Sequence, residues 1–348
     1  MSHEHLTSGR VLARITVLTV VLVACLILAG SVGAVRLPVL KLLGVGESLD
    51  GSDRLLFLRI LFDVRLPRVL LAAILGGALT VAGIVFQALL RNPLADPYIL
   101  GVSGGASLGG VTALLLGLGA GTGLISQFGV PGFAFLGALL SLILIERIAS
   151  REGRFTVHTI LLTGVIFNAF CAALIFFIQS IASLEQLHAI VFYLMGQVPD
   201  DLGYLSIAGF ALVSTAVVVS LFAMARDYNA MSMGEEGAIQ VGVDIERIKR
   251  RTFFLGSLLT GLAVSVAGLI GFVGLVVPHL LRIILGPDHR LLIPTGFIGG
   301  AAFLVLADLL ARTLAAPNEI PVGVVTALVG GPFFLYLLRS RGRDYAFS

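Results

Sequence analysis

The chain has 348 residues, of which 57% are hydrophobic and only 12% charged, where a soluble domain carries about 25% charged residues. A soluble fold could not bury that much apolar surface, so lipid is the solvent for most of it. The net charge of +3 comes from 21 arginines and only two lysines, Lys41 and Lys249; neither lysine is followed by Ser or Thr, which excludes nucleotide binding through a P-loop.

Residues 15–35 form the first apolar run, preceded by Arg10 and Arg14. A VGA near its end resembles a cleavage site, but the apolar core is longer than that of a signal peptide, so it is read as a retained helix behind a cytoplasmic tail, 1–14. His3 and His5 in that tail are read as solvated, not as a metal site. Charge-poor runs follow at 69–90, 97–118, 130–145, 156–181, 203–225, 252–272, 273–286, 293–314 and 320–338. That makes ten segments, most near the roughly 20 residues needed to cross a bilayer. Backbone groups in hydrocarbon must be satisfied within the segment, so all ten are predicted as helices. The fold class is all-α: a polytopic membrane protein, residues 1–348 forming a single transmembrane domain.

The 273–286 run contains Pro278, His279 and Arg282. It is too short and polar to cross alone comfortably and is expected to pack inside the protein. Gly101, Gly105 and Gly109 fall four apart, the spacing of a face on which helices touch closely. Cys25 and Cys171 sit within apolar runs and are read as buried thiols, with no disulfide or cysteine metal site.

Orientation follows from the arginines. With the N-terminus inside, the inner connections hold Arg91, Arg147, Arg151, Arg154, Arg226, Arg247, Lys249, Arg250, Arg251, Arg282 and Arg290, and the tail adds Arg339, Arg341 and Arg343. The outer connections at 119–129 and 182–202 hold no Lys or Arg. Both termini are therefore expected in the cytoplasm. One connection breaks the pattern: 36–68, on the outside, carries Arg36, Lys41, Arg54, Arg59, Arg65 and Arg68. A faint repeat pairs LGGALTVAGI (75–84) with TGLAVSVAGL (260–269). An odd number of spans separates the two copies, so they would lie inverted, as in many transporters.

The longest inner connection, 226–251, has its own pattern. Gly234 and Gly242 bracket EEGAIQV, whose Glu235 and Glu236 lie at the positive end of a short helix. Asp244 then stands where it can cap a second helix, IERIKRR. On these residues alone a solvated loop is the plainer reading.

RLPRVLLAAILGGALTVAGIVFQALLRNPLADPYILGVSGGASLGG, GEEGAIQVGV, AGLIGFVGLVVPHLLRIILGPDHRLLIP, LADLLAR and EIPVGVVTALVGGPFFLYLL resemble the FecCD/BtuC-type permeases of iron-chelate and vitamin B12 ABC importers. The resemblance runs in order from about residue 60 to the end. It implies ten helices, a homodimer in the lipid bilayer of a bacterial inner membrane, two separate ABC ATPase subunits and a periplasmic substrate-binding protein. The cargo would be a metal chelate (ferric siderophore or haem) or cobalamin, moved by ATP-driven alternating access. No cofactor, resident metal, catalytic residue or nucleic-acid partner is implied.

By resemblance, Arg65, Arg68 and Arg312 would dock the acidic lobes of the binding protein, as guanidinium suits paired carboxylates. Interfacial anchoring is the alternative for Arg65 and Arg68, and pairing with Asp308 for Arg312. Residues 226–251 would be the coupling element seated on the ATPase, through Gly234, Glu235, Glu236, Ala238, Gln240 and Gly242. Thr156, Val157 and His158 would narrow the cytoplasmic exit, although Val157 and His158 depart from the small hydroxyl residues usual there. Asn168 would face the pathway. The rival class, an ion-driven secondary transporter, needs buried ionisable groups along the pathway, and Asp308 is almost the sole carboxylate within a span.

Overall fold

The computed structural model describes residues 8–33, 51–119, 124–151 and 154–341. Arg36, Lys41, Arg343, the tail histidines and the centre of the 119–129 connection lie outside the described residues. Each of the ten predicted runs coincides with a helix. These are α1 (Ser8–Ser31), α3 (Leu66–Leu89), α4 (Val102–Leu115), α5 (Leu124–Ala149) and α6 (Val157–Ile181), then α8 (Tyr204–Ala223), α11 (Ile245–Ala267), α12 (Val273–Leu285), α13 (His289–Thr313) and α14 (Val322–Arg341). Shorter helices fill the connections: α2 (Gly51–Arg59), which runs through a π-helical stretch (Ile60–Arg65) into α3, α7 (Leu184–Met195), α9 (Ala225–Met231) and α10 (Glu235–Gln240). A two-residue hairpin pairs Ser150–Arg151 with Arg154–Phe155 just before α6.

Helix α3 is the axis of the molecule, buried along nearly its whole length between α11, α12 and α13. Glycines make this possible. A Cβ at Gly76 would meet the backbone of Gly300, and one at Gly83 the backbone of Gly274. Leu281, Ile84 and Thr80 fill the remaining gaps around Gly296, Gly299 and Gly300. On α4, Gly105 and Gly109 lie in the same way against Gly137 and Phe133 of α5, as their four-residue spacing predicts. Because backbone cannot move aside as a side-chain tip can, Gly83→Val is expected to cost at least about 3 kcal/mol. Thermal melting of the purified protein in detergent checks this.

Two helices are broken where a membrane helix would ordinarily continue. A 3-10 turn (Pro97–Leu100) leads into α4 through Gly101 at φ 91°, and residues 268–272 lead into α12 through Phe272 at φ 67°. The breaks meet. The Tyr98 hydroxyl accepts from the Ile270 N–H at 3.1 Å and donates to the Ile270 carbonyl at 2.9 Å. Irregular backbone at this depth survives only where protein supplies its partners, and Tyr98 does so.

The packing reads alike in both halves. Helix α3 packs on α12 and α13 as α11 packs on α4 and α5; α4 touches α5 and α6 as α12 touches α13 and α14. The halves are also antiparallel, since the end of α3 (Arg91) and the start of α11 (Lys249) both reach Glu235. The inverted repeat suggested by ten residues thus extends through α3–α6 and α11–α14. As expected, α12 buries its first seven residues, and Cys25 and Cys171 are buried thiols. Exposed Leu140, Leu162, Ile166, Phe170, Phe176, Phe177 and Leu212 give α5, α6 and α8 an apolar outer surface, which makes this a multi-pass membrane protein.

Candidate functional site

The chemistry-bearing residues gather at the two opposite ends of the α3–α13 pair. At one end, the arginines expected on the outer lip are not presented to solvent. Arg65, Arg68 and Arg312 are all buried. Asp308 is the reason for Arg68 and Arg312. Arg68 Nε donates to its Oδ1 at 3.1 Å, and Arg312 Nε lies 2.9 Å from its Oδ2. A second carboxylate, Glu319, accepts from Arg68 at 2.8 Å and is the exposed member of the group. Carbonyls complete the neutralisation: Arg65 donates to Gly30 and Ser31 at 3.0 and 2.9 Å, and Arg312 to Ala29 at 3.4 Å. These are last-turn carbonyls of α1, the negative end of its dipole. A cavity of about 200 Å³ lies against the cluster, lined by Arg65, Arg68, Asp200, Arg312 and Glu319.

The sequence showed one part of this, the i,i+4 pairing of Asp308 with Arg312. The Arg68–Asp308 bond spans 240 residues, and no local pattern announces it. Glu319 was missed for the same reason.

At the other end stand α9, α10 and the first turns of α11. Gly234 at φ 105° opens α10. Gly242 at φ 88° closes it in a Schellman motif: the Gly242 N–H bonds to the Ile239 carbonyl at 2.9 Å, and the Val243 N–H to the Ala238 carbonyl at 3.0 Å. Asp244 caps α11 through the Arg247 N–H at 3.1 Å, as its position predicted. Helix α11 then continues without a break from the charged IERIKRR into the apolar run.

Two of the expected contact residues are placed differently. Ala238 is fully buried against the core, since a six-residue helix must turn one face inward. Ile239 and Val241, exposed at 61% and 62%, and Met233 form the outward apolar surface instead. Glu235 is held by Lys249 at 2.9 Å and by Arg91 at 3.5 Å, so it ties the element to α11 and α3. Arg91 itself sits in left-handed backbone at φ 46°, which side chains rarely adopt. Glu236, Gln240 and Gly242 are exposed.

The exit residues sit near this end, after the hairpin. Thr156 occupies the N-cap of α6 without a side-chain capping bond; it and His158 are exposed, and Val157 is half-buried. For Asn168 the pathway reading does not hold for the polar group. Its amide donates to the Tyr98 carbonyl at 2.8 Å and accepts from the Gly104 N–H at 3.1 Å. Asn168 therefore braces the break before α4.

Comparison with known proteins agrees with this architecture. The FecCD transport family matches residues 20–340. The chain is 42% identical to the cobalamin import system permease protein BtuC of Halobacterium salinarum, over 80% of this chain and 73% of that one. It is 40% identical to the hemin transport system permease protein HmuU of Yersinia pestis, over 79% and 82%. A solved structure of a metal-chelate type ABC transporter in an inward-facing conformation superposes with a TM-score of 0.82 at 30% identity, covering 94% of this chain and 98% of that one. With two antiparallel sets of helices packed alike and a family match over residues 20–340, this chain belongs to the FecCD transport family.

Proposed function

We propose that the chain is the membrane permease subunit of a binding-protein-dependent ABC importer that carries an iron chelate, haem or cobalamin into the cytoplasm. The likeness to a metal-chelate type transporter over 94% of the chain carries this reading. Similar relatives named for hemin and for cobalamin argue against a dedication to cobalamin alone. Two copies would enclose the pathway, with the uncovered apolar faces of α6 (Phe170, Phe176, Phe177) and α14 (Leu328, Leu335) facing it or the partner. The end carrying Glu235 lies on the arginine-rich side and is assigned to the cytoplasm. There the surface of Met233, Glu236, Ile239, Gln240 and Val241 would seat on a separate ATPase.

At the opposite, outer end, Arg65, Arg68 and Arg312 around the cavity would receive acidic residues of the binding protein. Such pairs set register and association rate more than affinity. Because Arg68 already holds Asp308 and Glu319, docking there is an exchange of partners. Thr156, Val157 and His158 would narrow the inner exit. The ion-driven alternative is disfavoured: Asp308, the buried carboxylate that a cation or proton would need, is clamped between two guanidinium groups.

Reconstitution in proteoliposomes tests the proposal. With a cognate ATPase and binding protein, haemin or ferric siderophore should accumulate inside against its gradient when ATP is present. The permease alone should give no concentrative uptake, and concentrative uptake without the ATPase would refute the assignment.

A further inference from the structure

Helix α13 begins with a bond pattern that its own sequence does not supply. Asp288 is its N-cap and accepts from the Arg290 N–H at 2.9 Å, as an N-cap should. A second side chain from another element also grips this terminus. Asn229, on α9, donates from Nδ2 to Asp288 Oδ1 at 2.7 Å. Its Oδ1 accepts from the His289 backbone N–H at 2.9 Å and lies 2.8 Å from His289 Nδ1. One amide thus holds the cap carboxylate, the first helical N–H and the first side chain of α13. Its neighbour Tyr228 anchors α9 on the other side, with its hydroxyl 2.9 Å from that of Thr252 on α11 and its ring 5.6 Å from His289. Hydrogen bonding from Arg290 and Asn229 holds the Asp288 carboxyl at about 2, well below the usual carboxylate range. It therefore stays ionised across the physiological pH range.

The other end of α13 carries Asp308 and Arg312. From His289 to Asp308 is 19 residues along one helix, about 28 Å at 1.5 Å per residue. The helix is seamed to α3 through Gly76 and Gly300 along the way. Helix α3 has the same two-ended character, with Arg68 in the ion cluster and Arg91 on Glu235 of α10. Beside that route through α3, α10 also packs on α9, and α9 grips α13 by Asn229.

We infer that Asn229 is a positioning residue: it joins the ATPase-facing elements α9 and α10 to α13, and through α13 to the ion cluster at the outer end. This rests on the function proposed above and adds to it the joint by which docking outside reaches hydrolysis inside. The experiment uses the complete importer in nanodiscs and compares ATP hydrolysis with and without saturating binding protein. Asn229→Ala should leave basal hydrolysis and subunit assembly unchanged and lower the stimulation ratio about five- to tenfold, the size of a typical allosteric coupling.

A second variant covers the case in which Asn229→Ala fails to assemble. Asn229→Asp keeps an acceptor for the His289 N–H but sets a carboxylate against that of Asp288 where the Nδ2 donor stood, so it should lower the stimulation by a similar factor. Unchanged stimulation in either variant, once assembled, would overturn the inference. A wild-type complex that the binding protein fails to stimulate would instead sink the docking reading on which this one stands.

Discussion

Reversing Arg65 and Arg68 to Glu together is expected to reduce binding-protein-stimulated ATP hydrolysis to the basal rate. Two cations become anions where an acidic surface would approach, and like charges across an interface cost several kcal/mol. The structure adds a condition that the sequence did not show. Arg68 is half of the clamp on Asp308, and taking one partner from a buried ion pair costs about 3–5 kcal/mol of stability. The reversal should therefore lower the melting temperature as well as the stimulation. A companion variant separates the two effects. Arg65→Glu alone leaves both Arg68 and Arg312 on Asp308, so less stability should be lost while stimulation stays depressed. Melting curves and ATPase assays on the same preparations check both. Full stimulation in a folded reversal variant would remove the docking role.

The second large effect is expected at Gly242. Nothing lies within 4 Å of where its Cβ would stand, so a substitution there meets no steric obstacle. The cost is in the backbone alone. At φ 88° a β-branched residue is strained, whereas Asn tolerates left-handed backbone well. Gly242→Val should release the Schellman turn, turn α10 away from the direction that α11 now fixes, and uncouple hydrolysis from uptake. Transport per ATP should fall about tenfold or more, a barrier change of about 1.4 kcal/mol or more. Gly242→Asn should stay within about twofold of wild type. Parallel uptake and phosphate-release measurements in proteoliposomes decide it. Equal loss in both variants would show that the side chain, not the turn, matters.

Much of the helical layout was legible because run length and charge are local properties. The ten runs, the inward packing of 273–286 and the cap at Asp244 all follow from residues near one another in the chain. Helix α7 was not seen, although its capping box, Ser183 with Gln186, stands in the sequence; the segment was read for its charge and not for helix signals. Residue placement at the sites was harder. Whether Ala238 or Ile239 faces outward is a matter of rotation in a helix of six residues, too short for periodicity to decide. The cluster at Asp308 and the Asn229 clasp join residues 240 and 59 apart. Sequence displays the charges and amides involved but not their pairing, because that is set by where the helices cross.

The matched packing of the two antiparallel halves limits how this chain can be divided. The face that α3 lays against α12 and α13 has its counterpart where α11 meets α4 and α5, so neither set of helices covers itself. A polypeptide ending after α8 would leave in lipid the glycine seam and a Tyr98 hydroxyl without its Ile270 partners. Only a mate threaded through the bilayer upside down could close them. Folding is thus a two-body event within one chain: early spans must wait, incompletely packed, until the late ones have been inserted in the opposite sense.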